Sequence, residues 1–119
     1  MKVVRPSEVP QEPVTGPLFL GSVTRQTLVT SAESGVYNLG IINFAAGARN
    51  KFHRHSNDQV LLVTYGTGIV ATDAGEVEVR ESDVILIPAG EKHWHGATPT
   101  SAFSHISLTA VGSTTEVLD

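Results

Sequence analysis

A chain of 119 residues has room for one hydrophobic core and little else. Its 40% hydrophobic and 17% charged residues argue against disorder and fibrous repeats, and a formal charge of -4 with scattered Lys and Arg argues against nucleic acid as a partner. Without cysteine there is no disulfide framework and no thiolate metal site, which leaves His, Asp, Glu, Asn and Gln as side-chain ligands.

Residues 1-20 contain Pro6, Pro10, Pro13 and Pro17, which interrupt helices and cannot donate within a sheet. They predict an extended N-terminal arm ahead of a barrel spanning 21-119. An arm of this kind covers a sheet edge, in its own subunit or a neighbour's. From Gly21 onward, β-branched runs predict strands over 23-30, 36-45, 51-55, 59-65, 68-73, 76-80, 84-87, 93-97 and 102-110. The separators, among them Ser34-Gly35, Ser56-Asn57-Asp58, Tyr65-Gly66 and Pro88-Ala89-Gly90, are places where the chain can reverse. No segment carries an apolar stripe long enough for a helix. Many short strands point to a closed or double-sheet β-barrel, an all-β fold. No apolar run approaches the roughly 18 residues of a membrane span, and the start, Met1-Lys2-Val3-Val4-Arg5-Pro6, lacks the apolar stretch of a signal peptide, so the expected address is cytoplasmic.

All five histidines fall between positions 53 and 105, four of them in His53-Arg54-His55 and His93-Trp94-His95. Alternate side chains of a strand share a face, so each pair projects both imidazoles the same way. One such pair is more often solvated or satisfied in the core than a ligand set. Two pairs shift the balance, because four imidazoles buried without partners would be desolvated for no return, whereas a metal ion satisfies several at once. Gln59 follows His55 after a turn and can add a neutral oxygen.

These residues resemble the two cupin motifs. The first, Gly-x5-His-x-His-x3-Glu-x6-Gly, reads here Gly47, His53, His55, Gln59, Gly66; the second, Gly-x5-Pro-x-Gly-x2-His, reads Ser82, Pro88, Gly90, His93, with Asp83 in its customary place. The resemblance covers about residues 36-110. It departs at Ser82, which replaces a turn glycine, at Ala97, which replaces a final Asn, and at Gln59, which replaces the usual glutamate ligand. Gln59, the run Pro88-Ala89-Gly90-Glu91-Lys92-His93-Trp94-His95-Gly96 and the later His105 are similar to a bacterial subgroup of small cupins. That subgroup includes manganese-dependent hydroxynitrile lyases and relatives encoded with carboxymuconolactone decarboxylases. The resemblance implies a double-stranded β-helix, or jelly-roll barrel. It also implies one divalent metal ion held by His53, His55, Gln59 and His93, with His95 and His105 beside it.

Three imidazoles and an amide leave a bound ion its full charge, which favours polarising a carbonyl or hydroxyl over the higher oxidation states used by oxygenases. Manganese or iron suits this donor set, with zinc or nickel as alternatives. His95 or His105 is expected to act as general base or as a hydrogen-bond donor that orients a ligand. Phe44 and Phe103 are candidates for an apolar substrate pocket. The expected function is a lyase acting on a small hydroxy or carbonyl compound. Oxygen-dependent cleavage of a small aromatic or diketone, and noncatalytic binding of a small molecule or metal, are the alternatives. A homodimer or homotetramer is the expected assembly.

Overall fold

The computed structural model describes residues 1-118. Its strands in chain order are β1 (Glu12–Pro13), β2 (Phe19–Leu20), β3 (Val23–Val29), β4 (Tyr37–Phe44), β5 (Arg49–Asn50), β6 (His53–His55), β7 (Gln59–Thr72), β8 (Gly75–Arg80), β9 (Val84–Ile87), β10 (Trp94–Ala97), β11 (Phe103–Ala110) and β12 (Thr115–Val117). The strand path runs β1-β3-β4-β11-β7-β10-β5-β2, with β8 and β9 also paired to β7, and β12 pairs with β6. All these pairings are antiparallel. The all-β expectation holds.

Three features differ from the strand expectations. One helical turn, α1 (Ser31–Ser34), closes the β3–β4 connection; it is too short to show an apolar stripe and is capped by Thr30 with Glu33. The expected reversal at Tyr65-Gly66 lies instead inside one continuous strand, β7, beside a bulge at Thr64 where the register against β11 shifts. Gly66 allows the chain to pass there: its φ is 70°, and a Cβ would stand 1.9 Å from the Ala102 carbonyl oxygen. β7 therefore pairs with β9 and β11 through its first half and with β8 and β10 through its second. Finally, four two- or three-residue pieces, β1, β2, β5 and β12, are too short to leave a periodic signal.

The N-terminal arm covers edges of its own chain. β1 lies on β3 and β2 on β5, so both ends of the strand path are arm segments. The buried Gln26 amide anchors the arm further, donating to the carbonyls of Pro6 and Val9 at 2.8 and 3.0 Å. The arm contains one 3-10 turn at Pro6–Glu8 and a second turn at Pro17-Leu18, closed by Phe19 N–H to Gly16 O at 3.4 Å.

Cross-strand register sorts the cavity-facing side of the sheet into rows, of which the β3 members Arg25 and Thr27 are exposed. Val23, Phe44, Phe103 and Gly66 form the first row, and Arg25, Ile42, His105 and Val63 the second. Thr27, Gly40, Ser107 and Leu61 form the third, and Asn38, Thr109 and Gln59 the fourth. One end of the barrel is thus an apolar core built on Phe44, Phe103, Val63 and Val79. Each fully buried aromatic or aliphatic side chain there contributes about 1.5 to 3 kcal/mol. Toward the other end the rows turn polar, and the space between them is a cavity of about 550 Å³.

Candidate metal centre

The two His-x-His pairs meet at the cavity wall. β6 carries His53 and His55, and His93 faces His53 through a reciprocal backbone bridge, His53 N–H to His93 O at 2.9 Å and His93 N–H to His53 O at 3.0 Å. The rings follow the backbone: centroids of His53 and His93 lie 4.2 Å apart, His53 and His55 4.9 Å, and His55 and His93 5.4 Å. One ring nitrogen from each of the three comes within 4.8 Å of those of the others, a spacing that can hold a single metal ion.

The opposite ring nitrogens are engaged. His53 Nδ1 is 2.7 Å from the Lys51 carbonyl and His93 Nδ1 is 2.8 Å from the Glu91 carbonyl. A carbonyl only accepts, so both Nδ1 atoms carry the proton and both Nε2 atoms present a lone pair. His55 Nδ1 has Thr115 Oγ1 at 2.9 Å, supplied by β12. His55 Nε2 and His93 Nε2 are buried without a hydrogen-bond partner. Such orientation of one ring nitrogen with the other left free is what metal-ligating histidines require.

Gln59 lines the same cavity. It is 5% exposed, at the start of β7. Its Nε2 donates to Ser107 Oγ at 2.9 Å, which fixes the amide orientation and leaves Oε1 buried and unpartnered. A buried carbonyl oxygen without a donor costs about 1 to 3 kcal/mol. The Nε2 lone pairs of His53 and His93, the unpartnered His55 Nε2 and the orphaned amide oxygen are donors of the kinds taken by a divalent cation of mixed nitrogen and oxygen preference.

Burial, opposed by the Lys51 carbonyl, pushes His53 down to about 4 from its ordinary 6.5. Burial likewise lowers His55 and His93; the Gln59 amide partly offsets it at His55, and the Glu91 carbonyl at His93. All three are therefore neutral near pH 7, the state in which imidazole ligates.

His95 and His105 lie beside this cluster and are 3% and 0% exposed. His105 Nε2 is 3.0 Å from His95 Nδ1, and the His95 ring stacks 5.8 Å from His93. Asn50 holds His95: its Oδ1 accepts the His95 backbone N–H at 2.9 Å, turning its Nδ2 toward the ring, 3.3 Å from His95 Nε2. This contact exists because β5 runs close against β10. Gly96 allows the approach, since a Cβ there would stand 2.4 Å from the Arg49 Cβ. Burial lowers His105 to about 4 and His95 well below 6.5, the neighbouring histidines adding to the effect at His95.

Phe44 and Phe103 belong to the apolar core and do not line the cavity. Their inward row lies one step beyond the histidine row, so they support the histidines from below. Phe44 packs at 5.9 Å from the His95 ring and 5.7 Å from His105, and Phe103 at 5.6 Å from His105. The structure adds Asn50, Ser107 and Thr115 to the site. Ser107 was within reach of strand periodicity, two residues after His105; Asn50 and Thr115 come from strands too short to be recognised.

Comparison with known proteins agrees with this geometry. The model of the cupin domain family matches residues 40–108. The chain is a cupin. Over 91 residues, 76% of this cupin and 70% of the relative, it is 36% identical to an (R)-mandelonitrile lyase of Granulicella tundricola. Over 93 residues it is 32% identical to the dimethylsulfoniopropionate lyase DddW of Ruegeria pomeroyi, covering 76% of this cupin and 60% of that protein. Among solved structures, a cupin-like protein of Thermotoga maritima superposes with a TM-score of 0.86 at 28% identity, covering 93% of this chain and 87% of that one. The cupin thus has lyases among its relatives and three histidines placed to hold a metal ion. Among the described residues, no helix is long and apolar enough to cross a membrane.

Proposed function

We propose that this cupin is a divalent-metal-dependent lyase that converts a small hydroxy compound into a carbonyl compound, in the manner of a hydroxynitrile lyase. The observation that carries the reading is Gln59, whose buried, unpartnered Oε1 stands with three histidines where a carboxylate would have cancelled one charge. His53, His55, Gln59 and His93 would hold manganese or iron. When bound, the ion supplies Lewis acidity, acidifying a hydroxyl that reaches it.

The residues around it manage the proton. Neutral His95 and His105 carry two protons between four ring nitrogens, and one proton lies in the 3.0 Å contact between the rings. Asn50 Nδ2 can only donate, so the outer nitrogen it faces, His95 Nε2, carries a lone pair and the second proton lies on His105 Nδ1. His95 is the ring nearer the cluster, its centroid 5.7 Å from His53, so the substrate hydroxyl proton passes to His95 Nε2 as the Asn50 Nδ2 hydrogen bond to that nitrogen gives way, while Asn50 Oδ1 keeps the His95 backbone N–H. For a cyanohydrin, the oxygen lone pair left behind forms the C=O bond while the C–CN bond breaks, and cyanide departs with its electron pair. The proton then returns from His95 to cyanide, giving an aldehyde and hydrogen cyanide. The (R)-mandelonitrile lyase relative supports this choice of substrate.

The test is cyanide release from mandelonitrile by manganese-loaded protein, by chelator-stripped protein and by the iron form under an oxygen electrode. Metal-dependent cyanide release without oxygen uptake supports the reading. Oxygen uptake would favour dioxygenation, and a ligand retained without turnover would favour a binding module.

A further inference from the structure

The cavity has an electrostatic asymmetry that the proton chemistry leaves unused. No Asp or Glu lines it among the described residues, and apart from the histidines its one charged lining residue is Arg25 on β3. Arg25 is exposed and forms no ion pair there. Glu12, opposite it across the β1–β3 pair and on the same face, does not reach it within ion-pair distance. Arg25 sits in the same cross-strand row as His105, with Ile42 between them, so their Cα atoms lie two strand spacings apart, about 10 Å. In the next row Gly40 brings no side chain between Thr27 and Ser107, which leaves the path from Arg25 toward Gln59 open along the polar wall of Ser107, Thr109 and Asn38.

We infer that the cavity takes a small hydroxy acid, with its reacting hydroxyl at the histidine and Gln59 cluster and its carboxylate held by Arg25 across the cavity. The inference rests on the lyase reading above and names the substrate class within it. A guanidinium binds a carboxylate through paired N–H donors, and its fixed fork sets orientation as well as affinity. A wall free of carboxylates offers an incoming anion no repulsion, and a cation in the four neutral ligands attracts it further. A cyanohydrin such as mandelonitrile, without a carboxylate, would then be turned over while leaving Arg25 unused.

Calorimetric titration of manganese-loaded protein with 4-hydroxybutanoate and with its neutral amide tests this, in wild type, Arg25→Gln and Arg25→Lys. The expected result is that wild type binds the acid about tenfold or more tightly than the amide. Arg25→Gln removes that preference by weakening the acid alone, and Arg25→Lys restores part of it. Equal binding of acid and amide by wild type would overturn the inference. So would a preference that survives Arg25→Gln, which would place the carboxylate on the metal, or equal weakening of both probes, which would make Arg25 structural. Binding is read with or without turnover, so a failure here is distinct from a failure to release cyanide from mandelonitrile.

Discussion

His105 Nε2 stands 3.0 Å from His95 Nδ1, and the two rings are buried together against Phe44. Neither ring belongs to the three-histidine cluster, yet His95 stacks on His93, so the proposed base lies against the cluster without being one of its three histidines. That separation of ligands from base is what the account of the chemistry rests on.

Removing the base while sparing the ligands is the first consequence. His95→Ala and His105→Ala are each expected to lower kcat for mandelonitrile by about 10² to 10⁴, with manganese content unchanged. Because the two rings act as one proton-accepting unit, the double variant should fall little below the worse single one. Steady-state kinetics alongside elemental analysis separate this outcome from loss of metal.

Gln59→Glu restores a carboxylate at the cluster. Ser107 Oγ accepts from Gln59 now, and its hydroxyl can donate to a glutamate instead, so the side chain keeps its anchor. The added charge should tighten manganese binding by about tenfold and lower kcat by a similar factor, since a partly neutralised ion acidifies a hydroxyl less. A variant binding metal more tightly with undiminished kcat would show that the neutral donor set is irrelevant to the chemistry.

Acid should destabilise the metal-free protein. His53 and His105 titrate near 6.5 when unfolded and near 4 when folded, so between those values the unfolded chain binds more protons. Their contribution to stability is full above pH 6.5 and is lost as pH falls toward 4, at up to about 1.4 kcal/mol per pH unit for each group. Urea midpoints measured in chelator at pH 7.5, 6 and 5 should decline in that order. A flat or rising series would mean that these rings are not buried neutral.

How much of this was legible beforehand depends on where the determining contacts lie. The His-x-His spacing put each pair on one face because alternation along a strand is local, and the rings do converge. Gly66 was misread as a reversal because glycine serves turns and close backbone approaches alike, and only the Ala102 carbonyl pressed against it decides between them. The proton positions on His53 and His93 were not legible, since they come from backbone carbonyls at Lys51 and Glu91, groups present at every residue. Asn50 and Thr115 arrive from short strands far along the chain and leave no local pattern.

Ser82 shows a departure that does cost something. It occupies the motif's turn-glycine position and still adopts a φ of 76°, a left-handed conformation that disfavours a side chain by about 1 to 2 kcal/mol. Ser82→Gly should therefore raise stability by about 0.5 to 1 kcal/mol after the greater chain entropy of glycine is set against the relief. Thermal or urea unfolding reads this directly; a destabilised Ser82→Gly variant would show that the turn gains more from the serine than it loses in strain.

Whether Gln59 is the fourth ligand of a neutral site is read from anomalous scattering by crystals of the manganese-loaded protein. One anomalous peak per chain is expected, bounded by the Nε2 atoms of His53, His55 and His93, with Gln59 Oε1 within coordination distance. A peak elsewhere, or Gln59 turned away from an ion held by the histidines alone, would contradict that ligand set.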